Sequence, residues 1–109
     1  MPGEVNTGTA ENHFSLRHRI LEVLYDFFKE FPYAMVDVGH ISEKCLAAPK
    51  ELNWNLVYLE KCGFLELSKS TDSLPFIACS AVISASGIDL VENKEEFNLR
   101  FPFEDLSSP

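Results

Sequence analysis

Leu52, Leu56 and Leu59 lie between a proline at position 49 and a glycine at position 63, and no other feature constrains the folding of this chain so tightly. Steps of four and three residues place the three leucines on one face of a helix. Pro49 suits the first helical position, where its missing N–H costs nothing. Gly63 supplies a left-handed terminator, and Phe64 follows as the apolar residue that packs back on the last turn. A helix from Pro49 to Cys62 with its leucine ridge inward turns Lys50, Trp54, Val57, Tyr58 and Lys61 outward, with Asn53 and Asn55 at the flanks.

The flanking sequence extends this pattern in both directions. Leu16, Ile20, Val23, Leu24, Phe27, Phe28 and Phe31 recur at helical spacing, which predicts a helix from Ser15 to Phe31 capped by Ser15 and stopped by Pro32. Asp37 to Ala47 reads as a shorter helix with Asp37 as its cap and Ile41, Cys45 and Leu46 as an apolar edge. After Gly63 the period changes to two. Phe64 to Leu67 reads as a strand, Lys69 to Pro75 as a turn, and Phe76 to Ile83 as a buried second strand. Ser84 caps a short helix to Glu92, and Gly87 within it suggests close packing. In residues 93–109, Phe97, Leu99, Phe101 and Phe103 alternate beside Glu95, Glu96, Glu104 and Asp105. That pattern predicts an edge strand, or an acidic and aromatic arm that docks across a dimer.

The order is α+β: helix, helix, tight turn, helix, two-stranded hairpin, helix. It resembles the winged helix-turn-helix domains of bacterial and archaeal transcription regulators. Leu52-x-x-x-Leu56-x-x-Leu59-x-x-x-Gly63-Phe64-Leu65 looks like a recognition helix running into the first wing strand. Ile83-Ser84-Ala85-Ser86-Gly87-Ile88 looks like the junction after the wing. The resemblance covers residues 15–92, with residues 1–14 as a flexible N-terminal segment and 93–109 as the arm. It implies a three-helix core with a hairpin wing, and DNA binding with the third helix in the major groove and the hairpin near the backbone.

Composition limits how such a domain can act. The chain has 109 residues, 46% of them apolar, enough for one domain with its own core. Its net charge of −8 argues against coating nucleic acid or anionic membrane by bulk charge. Residues 89–109 carry six acids and two bases, half of that net charge, whereas residues 37–69 carry five acids and four bases. The three cysteines form no Cys-x-x-Cys pair, and no signal-peptide pattern or long apolar span occurs, so reduced thiols and a cytoplasmic location are expected, with no membrane partner.

Three readings of the outward face remain open. Asn53 and Asn55 have the chemistry to read adenine, and Lys50 and Lys61 to meet phosphates, with Lys69, Ser70 and Thr71 of the wing as further backbone contacts. Trp54, Val57 and Tyr58 would then touch thymine methyls or unpaired bases. Alternatively the same three residues anchor a protein partner on the same fold without DNA contact, since Trp and Tyr are favoured at interfaces. Thirdly, the terminal segments cover them as additional core. So few bases give weak DNA binding by a monomer, and a homodimer or partner module is expected. No enzyme activity, cofactor or metal is expected. Phosphate-loop and nucleophile-elbow patterns are missing, and His13, His18, His40 and the cysteines lack structural-zinc spacing.

Overall fold

A computed structural model of the chain describes residues 12–69 and 72–103. These residues form five helices and one three-stranded antiparallel sheet. In chain order the elements are α1 (His13–Glu30), β1 (Val36–Asp37), α2 (Val38–Cys45), α3 (Pro49–Lys61), β2 (Leu65–Ser68), β3 (Ser80–Ile83), α4 (Ala85–Glu92) and α5 (Lys94–Arg100). The mixed α+β class expected from the sequence is therefore observed.

The leucine ridge of α3 faces inward. Leu52, Leu56 and Leu59 are fully buried together with Ile20, Leu21 and Leu24 of α1, Ile41 of α2, and Leu65, Ala81 and Ile83 of the sheet. Helix α3 ends as its glycine requires. Gly63 has φ +86°, its N–H donates to Glu60 O at 2.9 Å, and the Phe64 N–H donates to Leu59 O at 3.0 Å. Those bonds satisfy carbonyls that the helix end would otherwise leave bare. Helix α2 closes with the same bond pattern around Leu46, whose φ is 55°; the Ala47 N–H reaches Ser42 O at 3.1 Å. Leu46 is 91% exposed, so it supplies no apolar edge to α2.

Gly87 marks a close approach, as its place inside a helix suggests. A Cβ there would collide with the Phe64 backbone oxygen and lie 2.7 Å from Ile83 Cγ1. The Ser84 hydroxyl caps α4, accepting the Gly87 N–H at 3.1 Å, and itself donates to the Gly63 carbonyl.

Other features depart from what the sequence predicts. Helix α1 begins at His13 with Asn12 as its cap, whose Oδ1 accepts the Ser15 N–H at 3.1 Å, so Ser15 is inside the helix and His13 and Phe14 are no part of a flexible segment. Val36 and Asp37 form an unanticipated edge strand, opposite Ala81 and Ser80, which gives the order β1-β3-β2. The second hairpin strand is only Ser80–Ile83, because Phe76 turns back to Ser73 O and the Ile77 N–H is taken by Asn53, leaving neither for a ladder.

Lastly, Lys94–Arg100 is a helix rather than an extended arm. Asn93 caps it, accepting the Glu96 N–H at 3.2 Å. Phe97 and Phe101 are one turn apart and buried in the core of their own chain, so they are not available as a docking strip. His18 secures this return: it stacks on Phe97 at 4.1 Å and donates Nδ1–H to Phe101 O at 2.7 Å. Leu99 and Phe103 stay exposed. Residues 1–11 and 104–109, with Glu104 and Asp105, lie outside the described residues.

Candidate functional site

The outward stripe of α3 consists of Lys50, Trp54, Val57 and Lys61, at steps of four, three and four residues. Lys50 and Lys61 are exposed, Trp54 is 43% exposed, and Val57 is half-buried between them. Neither lysine pairs with a carboxylate among the described residues. The stripe itself contains no acid. Glu51 and Glu60 flank it, engaged with His13 at 3.9 Å and Lys69 at 3.6 Å.

Asn53 does not stand free for base reading. Its Oδ1 accepts the Ile77 N–H at 2.8 Å and its Nδ2 donates to Pro75 O at 3.0 Å. Both ends of the amide are thus committed to the loop between β2 and β3, tying α3 to that loop. Lys69 lies at the start of the loop, exposed and beside Glu60. Ser70 and Thr71 lie outside the described residues.

Asn55 is a correction. Expected at the flank of the outward face, it is fully buried. Its Nδ2 donates to Glu51 O at 2.8 Å, and its Oδ1 accepts from Arg17 Nε at 2.8 Å. The same guanidinium covers the Tyr58 ring, its central carbon 3.9 Å from the ring centroid, and lies 5.4 Å from Trp54 and 5.7 Å from Phe14. His13 meets Trp54 edge-on at 4.4 Å. Helix α1 therefore covers one side of the aromatic face, including much of Tyr58, and leaves the Lys50–Trp54–Val57–Lys61 side open. The charged residues of α1, Arg17 among them, are expected mostly off its apolar face, yet Arg17 is 8% exposed and His18, not singled out in the sequence, 6%. Arg17 shares the helical face of Ile20, Leu21 and Leu24, and that spacing is the one signal that points to it.

Elsewhere, an open groove between α1 and α2 of about 350 Å³ mixes Arg19 and Lys44 with Glu22, Asp26 and His40. No group of three His, Cys, Asp or Glu side chains among the described residues could hold a metal ion. No described helix is long and apolar enough to cross a membrane. In comparisons with known proteins, no family model, curated protein or solved structure matches the chain.

Proposed function

We propose that the chain is a winged-helix module that binds duplex DNA through α3 and the adjoining β2–β3 hairpin, as a homodimer or beside a partner module in a small transcriptional regulator. The observation that carries this reading is the charge of the α3 stripe. In a molecule of net charge −8, the outward line from Lys50 to Lys61 holds no carboxylate and two lysines that pair with none among the described residues. The line is roughly 16 Å long at the helical rise, a length that fits within a major groove. The succession of α1, α2 and α3, the three-residue turn between α2 and α3, and a hairpin directly after α3 support the winged-helix assignment. With Asn55 buried and Asn53 bound to the loop, base contact would fall to Trp54 and Val57, touching thymine methyls, and phosphate contact to the lysines.

A mobility shift with mixed-sequence duplex at low salt tests this. Binding that weakens as salt rises and disappears in the Lys50→Ala/Lys61→Ala double variant is the expected result. Failure of the native chain to shift any duplex at low salt overturns it. The half-exposed Trp54 favours a second reading, a protein contact on the same stripe. There, binding to a defined partner would survive the double lysine variant and be lost in Trp54→Ala.

A further inference from the structure

Arg17 is 8% exposed, yet among the described residues no carboxylate lies within ion-pair distance of it. A guanidinium has five N–H donors, and buried charges are ordinarily paired or fully hydrogen-bonded. Here Asn55 Oδ1 takes only Nε–H, and neither Nη group donates a hydrogen bond to any described residue. The rings of Tyr58, Trp54 and Phe14 offset part of the desolvation through their π-faces but accept no in-plane hydrogen bond. The chain has seventeen acidic side chains, and none of the described ones neutralises this buried cation.

Position gives a meaning to the two Nη groups that donate to no described residue. Trp54 belongs both to the rings around Arg17 and to the open stripe of α3, and Phe14, 52% exposed, lies on the outer side of the same cluster. Asn55 holds Nε, which leaves the two Nη groups as a forked edge. That fork matches two oxygens of a phosphate.

We propose that Arg17 forms a phosphate-binding site, with Asn55 positioning the guanidinium and Phe14, Trp54 and Tyr58 as its walls. The phosphate is one of the DNA backbone beside α3 or a free phosphate ion. Only the first source rests on the DNA reading given above.

Trp54 is the one tryptophan in the chain, so its fluorescence reports on this site directly. The intact protein is titrated with inorganic phosphate, followed by Trp54 emission, and with labelled mixed-sequence duplex, followed by anisotropy across a salt series. Arg17→Gln and Arg17→Lys are compared, the lysine variant keeping the charge without the fork should the glutamine variant not fold. If the phosphate belongs to DNA, both variants bind duplex about tenfold more weakly. Arg17→Gln also lowers the salt slope by about one contact. If it is a free ion, inorganic phosphate changes Trp54 emission saturably in the native chain and in neither variant, whether or not duplex binds. Duplex binding with unchanged affinity and slope in a folded Arg17 variant, and no response to inorganic phosphate, overturns the Arg17 site and leaves the DNA reading standing. Loss of both signals in the native chain overturns both.

Discussion

Leu46 holds left-handed backbone at φ 55° with its side chain in solvent, so it pays for the turn between α2 and α3 without packing in return. For an L-residue that conformation costs about 1–2 kcal/mol, a penalty that glycine avoids. Leu46→Gly is expected to raise stability by about 1 kcal/mol in urea unfolding, since little burial is lost. Cys45 makes the opposite kind of residue-scale statement. Burial pushes its thiol up to about 12, with Arg19 pulling weakly the other way. Its folded value lies above the unfolded one, so the stabilisation is complete below about pH 8.5 and fades as pH climbs toward 12. Iodoacetamide labelling at mildly alkaline pH, mapped by peptide mass, should therefore be far slower at Cys45 in the native chain than in urea.

At the scale of elements, α5 is the piece that changes the picture. Phe97 fills the space beside His18, and truncating a buried phenylalanine costs about 3–5 kcal/mol. Phe97→Ala is expected to lose that much in denaturant unfolding while leaving the sedimentation mass unchanged. The period of this element misleads because four apolar residues fall on odd numbers. Only Phe97 and Phe101, one helical turn apart, are buried, and Leu99 between them is exposed. Helices α1 and α3 are legible because each has its own ridge and its own stop, Pro32 and Gly63. The edge strand Val36–Asp37 is not, since two residues carry no period and its partner lies more than forty positions away. For the candidate site, the outward turn of Lys50, Trp54 and Lys61 follows from the ridge alone. The burial of Asn55 does not, because an arginine 38 residues earlier draws it in.

For the molecule as a whole, the excess of carboxylates sets the response to salt. A net charge of −8 repels itself, and added monovalent salt screens that repulsion over a Debye length of about 8–10 Å. The surface pairs Lys29–Asp26 and Lys69–Glu60 lose attraction at the same time, but each is worth about 0–1 kcal/mol at most. Relief of the repulsion outweighs that loss, so thermal melts should shift upward by a few degrees between low and physiological salt. A downward shift would mean that the pairs dominate. The two hydrogen bonds from Asn53 to Pro75 and Ile77 act at this scale as well. Helix α3 and the hairpin loop reach any visitor as one piece. Association then surrenders little freedom in either, and tightness is decided by which atoms meet, not by the entropy of gathering them.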